Sequence, residues 1–322
     1  MLLPTINLNT ASIQSTADEI KLLRESCESA GFFYLQVQDD DLVELLPRVF
    51  NLSKQFFALT TDTKRNFSDH VLNRGFTGMQ EETLDPEHQT KGDTKEGYYL
   101  AEDIPDTDPR YNPNKLAGPN MYPKDLPVQD LDCDLWRKTM MEYHGKMKQI
   151  SFQLIQMLAL ALDLSQIYFD EHFQEPLAVL RLLHYSNKVS DIDRGIFACG
   201  AHSDYGMVTL LATDDQPGLQ IYHEGNWVDI PPPGFHKGKF VVNLGDMLER
   251  WTNGRFKSTL HRVVRAESED RYSIPFFYEP NFDTNVECLE SCIGEEGAKY
   301  SPITSGEYLI GKYKETHADF KV

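Results

Sequence analysis

Hydrophobic and polar positions follow three different textures along the 322 residues. Near the start, Ile20, Leu22, Leu23 and Cys27 sit behind a capping box made by Thr16 and Glu19, which predicts a helix that Gly31 stops. FFYLQV (Phe32 to Val37) then reads as an apolar, aromatic-rich strand. A second helix is predicted from Asp41 to Leu59, kinked at Pro47, because proline lacks a main-chain donor and crowds the turn before it. From Met140 to Leu164, Met147, Ile150, Leu154, Leu158 and Ala161 recur at three- and four-residue steps, the stripe of a core-facing helix. Between these helices, Thr61 to Gln129 is polar and rich in Pro, Gly and Asp. It reads as long loops, and the aromatics it carries (Phe76, Tyr98, Tyr99 and Tyr122) suit lids or binding loops better than linkers. From Leu177 the texture shortens to runs such as AVLRLLHY, MVTLLAT, KFVVNLG and YSIPFFY, separated by turn residues. Seven or eight strands in about 100 residues predict a sandwich or jelly roll.

Composition narrows the function. With 31 Lys and Arg against 50 Asp and Glu, the net charge is −19, and no basic run exceeds two residues. A nucleic-acid partner, which needs a basic face, is therefore not expected, nor is an anionic membrane surface. MLLPTINLNT lacks a signal-peptide pattern, and the longest apolar stretch, near Ile150 to Leu164, is broken by Gln153 and Gln156. Five cysteines (Cys27, Cys133, Cys199, Cys288 and Cys292) are too few for a disulfide framework and read as reduced thiols. The expectation is a cytoplasmic protein, monomer or weak homodimer, acting on a small molecule.

The chemistry falls in the β-rich half. His202 and Asp204 lie two residues apart, so a strand projects both to one face. With one further His they would make a two-His, one-carboxylate set that leaves open positions on a divalent metal, the arrangement of non-haem Fe(II) oxygenases. Chance alone produces about 0.8 His-x-Asp triplets in a chain with 10 His and 27 Asp. A second one, His317-Ala318-Asp319, is read as a solvated tail. His261 in LHRVV can return as the third ligand, and Arg271 and Ser273 again share one strand face. An Arg fork beside a hydroxyl suits a buried carboxylate, with Tyr185 as a further donor; a salt bridge under the sheet is the alternative for Arg271.

Taken in order, these segments resemble the isopenicillin N synthase-like branch of the Fe(II)/2-oxoglutarate-dependent dioxygenases. The matching stretches are Tyr185, HSDYGMVTLLATD (His202 to Asp214), GLQI, NWVDIPP, VVNLGDMLERWTNGRFKSTLHRV (Val241 to Val263) and RYSIPFFYEP (Arg271 to Pro280). AGFFYL, RGFTG and KEGYYL extend the resemblance to the front half. It implies a mainly β protein with flanking helices, built on a distorted double-stranded β-helix. It assigns His202, Asp204 and His261 to iron, and Arg271, Ser273 and Tyr185 to the distal carboxylate of 2-oxoglutarate. Fe(II) is the implied cofactor, with 2-oxoglutarate and O2 as cosubstrates and ascorbate as a reductant. Oxidative decarboxylation to succinate and CO2 would drive hydroxylation, desaturation or ring closure at an unactivated C–H, in a setting of specialised metabolism. Leu183 stands where many plant members carry Asn, which removes one polar contact near Tyr185.

Arg74, Phe76, Tyr98 and Phe277 occupy positions that face substrate in this family, with core packing as the alternative for the aromatics. Arg181 shares a strand face with Leu183 and Tyr185 and can grip an acidic substrate or close a structural ion pair. His184 faces the other way and reads as structural; His223 and His236 fall in polar turns. The chain divides into an N-terminal region with active-site loops (1–130), scaffold helices (131–176), the oxygenase core (177–282) and a C-terminal extension with a helix (283–322), all in one unit. Two other functions keep part of this pattern: an iron oxidase that does not use 2-oxoglutarate, and a non-catalytic receptor.

Overall fold

The computed structural model describes residues 3–10, 15–266 and 269–316. In chain order, β1 (Thr5–Asn9), α1 (Ala17–Ser29), β2 (Phe32–Gln38), α2 (Asp40–Phe57) and α3 (Thr61–Arg65) come first. They are followed by β3 (Ser68–Asp69), β4 (Arg74–Thr77), β5 (Lys95–Leu100), α4 (Cys133–Ala161) and β6 (Pro176–Tyr185). Then come β7 (Cys199–His202), β8 (Val208–Thr213), β9 (Leu219–His223), β10 (Asn226–Asp229) and β11 (Lys239–Leu244). α5 (Asp246–Trp251), β12 (His261–Val263), β13 (Arg271–Asn281) and α6 (Ser305–Thr316) complete the set used below.

Local chemistry sets the helices. Thr16 and Glu19 form the reciprocal capping box of α1, with Glu19 N donating to Thr16 Oγ1 at 3.2 Å and Thr16 N to Glu19 Oε2 at 2.9 Å. Asp39 and Asp132 cap α2 and α4 through the amides of Leu42 and Leu135. The helix α2 continues through Pro47, and α4 begins at Cys133, a turn and more before the expected Met140, because its cap residue is Asp132.

Apart from a two-stranded ribbon made by Asn285–Val286 and Ile303–Thr304, the strands form two facing sheets. The larger has nine strands in the order β1-β2-β11-β8-β13-β6-β5-β4-β3, and the smaller has four in the order β10-β9-β12-β7. Period-two alternation decides what each strand of the larger sheet shows to either side. Ala178, Leu180 and Leu182 of β6 and Ile274, Phe276 and Tyr278 of β13 enter the main core with Leu46, Phe56, Tyr143 and Ile150 of α2 and α4. The intervening Arg181, Leu183 and Tyr185 of β6, and Arg271, Ser273 and Phe277 of β13, line a cavity on the opposite side. Burial on both faces explains why these strands read as continuous apolar runs.

One expectation is corrected here. The segment 61–129 is not all loop, for β3, β4 and β5 extend the large sheet beyond β6. Their two, four and six residues carry little local signal and are held by pairing to a neighbour already in place. Among the described residues, no helix is long and apolar enough to cross a membrane.

Candidate active site

His202 ends β7, Asp204 follows in the next turn, and His261 opens β12 directly across the ladder from His202. The two imidazole Nε2 atoms lie 3.7 Å (His202) and 3.6 Å (His261) from Asp204 Oδ1. One candidate ligand atom from each residue falls within 4.8 Å of the others. The ring nitrogens that face away are spoken for: His202 Nδ1 contacts Gly200 O at 2.8 Å and His261 Nδ1 contacts Thr259 O at 3.1 Å. Donation to a carbonyl fixes the tautomer and leaves the Nε2 lone pair pointing into the site. Asp204 is oriented in the same way, since its Oδ2 accepts from Thr209 Oγ1 at 2.5 Å and Asn243 Nδ2 at 2.6 Å, leaving Oδ1 toward the imidazoles.

Electrostatics favour metal-ready protonation states. Burial, and then His202, pull the His261 imidazole down to about 4, against the attraction of Asp204, so the ring is neutral near pH 7. Burial opposes ionisation of Asp204, but His261, His202, Thr209 and Asn243 outweigh it and hold the carboxyl below its ordinary range. Two imidazoles and a carboxylate form a donor set that suits Fe(II).

The cavity beside these residues has a volume of about 70 Å³ and is also lined by Tyr185, Arg271 and Ser273. Arg271 pairs in register with Tyr185 across β13 and β6, and its guanidinium lies 4.8 Å from the centre of the Tyr185 ring. Its Nε donates to Gln216 O at 3.3 Å, whereas its buried Nη1 has no partner. Ser273 and Tyr185 line this cavity together. An unsatisfied guanidinium nitrogen beside a hydroxyl pair, in the same cavity as the His/Asp set, fits the distal carboxylate of a chelating keto acid.

A second cavity of about 60 Å³ shares His202, Asp204, Arg181, Leu84 and Phe277 with the first. It is bounded by Tyr99, Glu82, Tyr205 and Glu279, and by Leu309 and Tyr313 of α6. Of the four substrate-side candidates, Phe277 lines both of these cavities, while Arg74 lines a third, farther out. Phe76 and Tyr98 require correction: they line none of the three. Phe76 is buried 6.3 Å from the Phe56 ring, and Tyr98 packs edge-on to Phe56 and Trp136 while its hydroxyl donates to Met121 O at 2.7 Å. The β4–β5 register places Phe76 opposite Tyr98, so both side chains fall on the helix-facing side. On β5 it is Lys95, Gly97 and Tyr99 that alternate toward the cavity.

That face carries a charge cluster that sequence reasoning missed. Lys95 binds Asp93 and, at 2.6 Å, Glu82; Glu82 in turn receives Arg181 Nη2 at 2.9 Å. Burial opposes the Lys95 charge, but Asp93 and Glu82 hold the ammonium well above its ordinary range. Arg181 therefore both lines the cavity and closes an ion pair, with its guanidinium 4.3 Å from the Tyr99 ring. His184 is the structural residue expected, with Nδ1 2.8 Å from Glu96 Oε1 and its ring stacked on Tyr272. His317 lies outside the described residues.

Known proteins agree with this geometry. Residues 166–280 match the 2OG-Fe(II) oxygenase superfamily, and residues 3–125 match the family described as non-haem dioxygenase in morphine synthesis N-terminal. The chain is 37% identical over 309 residues to the 2-oxoglutarate-Fe(II) type oxidoreductase hxnY of Emericella nidulans, covering 92% of this chain and 84% of that one. It is 34% identical over 307 residues to kihadalactone A synthase of Citrus sinensis, covering 92% and 88%. Among solved structures, a full-length Neurospora crassa protein in complex with alpha-ketoglutarate superposes with a TM-score of 0.80 at 28% identity, covering 97% of this chain and 96% of that one. The donor set, the unsatisfied arginine and these relatives together place the chain in the 2OG-Fe(II) oxygenase superfamily, as an iron- and 2-oxoglutarate-dependent oxygenase.

Proposed function

We propose that His202, Asp204 and His261 hold the Fe(II), that Arg271, Ser273 and Tyr185 hold the distal carboxylate of 2-oxoglutarate, and that the substrate is a small organic molecule presented from the side of Phe277. The observation that carries this reading is the shared cavity, in which Asp204 Oδ1 lies within 3.7 Å of both imidazole Nε2 atoms and Arg271 Nη1 is buried without a partner. Iron held there supplies oxidation of an unactivated C–H coupled to conversion of 2-oxoglutarate to succinate and CO2. The protein's own residues orient and exclude. Three ligands on one face leave the other metal positions for the keto acid and oxygen. Arg271 and Ser273 fix the keto acid's orientation from its far end, and Phe277, Leu183 and Val263 keep water from the reacting carbon. A small substrate is supported by the cavity sizes and by the Neurospora relative, one of whose structures contains thymine. Five free cysteines and the acidic charge support a cytoplasmic setting.

The test is an anaerobic titration of the Fe(II)-loaded protein with 2-oxoglutarate, following the weak visible charge-transfer band of the chelate. The band is expected in the wild type and lost in Arg271→Ala. An undiminished band in Arg271→Ala would overturn the assignment of the carboxylate site.

A further inference from the structure

Arg271 and Ser273 line the cavity beside the His/Asp set, and the residue between them, Tyr272, is held from outside it. The strand β8 pairs with β13 as far as Thr213, which lies opposite Ser273. Asp214 carries the pairing one residue further in an unusual way. Its main-chain N donates to Tyr272 O at 3.0 Å, but the return bond, from Tyr272 N, goes to the side-chain Oδ2 at 2.7 Å. A side-chain oxygen thus stands in for the carbonyl, which frees the main chain to turn away after β8.

The other oxygen of the same carboxyl fixes that turn. Gln216 N donates to Asp214 Oδ1 at 3.1 Å, and Gln216 O accepts from Arg271 Nε at 3.3 Å. One residue on, Pro217 O accepts from Nη1 of the buried Arg265 at 2.8 Å, so the turn is pinned on both sides of Gln216. Asp214 is itself buried and is not among the residues lining the cavity. Burial raises its carboxyl above the ordinary range, and the Tyr272 amide, Arg271, the Gln216 amide and Lys54 oppose the rise. The groups that lower the cost of its charge are the groups it holds in place.

We infer that Asp214 is a positioning residue for the cosubstrate: by fixing Tyr272 and Gln216 together, it sets how Arg271 and Ser273 meet the distal carboxylate of 2-oxoglutarate. This rests on the proposed assignment of that carboxylate to Arg271. A carboxyl is required because both amides need an acceptor. Asparagine has the same size but only one accepting oxygen, so Asp214→Asn turns an N–H toward one of the two amides.

The test is an anaerobic titration of the Fe(II)-loaded full chain with 2-oxoglutarate and with 2-oxopentanoate, each taken to saturation of the visible chelate band. The second keto acid has the same chain length and lacks the distal carboxylate. The wild type should bind 2-oxoglutarate more tightly than 2-oxopentanoate. Asp214→Asn should raise the Kd for 2-oxoglutarate about tenfold, the scale of one lost hydrogen bond, and leave that for 2-oxopentanoate within about twofold. General damage to the site would weaken both keto acids alike. A crystal structure of the wild type with Fe(II) and 2-oxoglutarate, which is independent of how the variant folds, should keep Arg271 Nε about 3 Å from Gln216 O. The inference is overturned if Asp214→Asn keeps the full preference, if both keto acids weaken in parallel, or if Arg271 leaves Gln216 in the complex. A wild type that binds the two keto acids equally would overturn the proposed carboxylate site, and this inference with it.

Discussion

Glu279 should make the protein lose stability as the pH rises, and a one-atom change should remove that loss. The residue lies on the cavity face of β13, 5% exposed, with Oε2 accepting from Met207 N at 2.8 Å and no cation paired to it among the described residues. It reaches this place because residue 206 is glycine; a Cβ there would stand 1.3 Å from Glu279 Oε2. Burial raises the carboxyl from 4.5 to about 8; the Met207 amide offsets part of this, and Asp204 and Asp246 add to it. A folded-state value above the unfolded one means that the folded protein binds more protons. The associated stability is fully present below about pH 4.5 and is lost as the pH climbs through 8. At about 1.4 kcal/mol per pKa unit, the loss is about 3 kcal/mol by pH 7 and about 5 kcal/mol above pH 8. Glu279→Gln keeps the shape and cannot ionise, so the variant should match the wild type near pH 5 and exceed it progressively above. Urea unfolding of the metal-free protein, followed through the buried Trp136 and Trp251, measures this between pH 5 and pH 8.5. A wild-type-to-Gln difference that stays flat, or that shrinks as the pH rises, would refute the reading of Glu279 as a neutral acid.

Three further outcomes follow from the site. Thr209→Val and Asn243→Ala each remove one of the two hydrogen bonds that orient Asp204 Oδ2 and should weaken Fe(II) binding roughly ten- to a hundredfold, measured by chelator competition. Phe76→Ala should cost about 3–5 kcal/mol in urea unfolding while leaving the 2-oxoglutarate titration unchanged, because the ring packs in the core and not against the site. His202→Ala should abolish metal uptake by elemental analysis, whereas His317→Ala should leave it intact; metal loss in the latter would move the site to the wrong triplet.

Some of this protein was legible in the chain alone because the relevant interactions are short in sequence. The capping box of Thr16 and Glu19 spans one helical turn, and the stripe through Met147, Ile150 and Leu154 repeats within α4; helical hydrogen bonds join residues four apart. The two-residue spacing of Arg271 with Ser273 likewise follows from strand geometry without any partner, whereas Asp204 lies past the end of β7 and meets His202 through the turn. Pairing between strands decided the rest. Nothing local says whether Tyr98 or Tyr99 faces the cavity; the register that sets Tyr99 against Arg181 of β6 does, and a shift of one residue would exchange them. The short strands β3 and β4 extend the edge made by β5, and β5 is itself held by β6, far along the chain. Glu82 and Asp93 gave no signal as partners of Lys95 and Arg181, because the loop that carries them acquires its place from contacts with β5, β6 and β7. The sequence by itself determined the helices, the strand-rich core and the ligand types, through interactions a few residues long. Tertiary structure alone decided which side chains share a cavity, because neighbours across a sheet are fixed by pairings between distant segments.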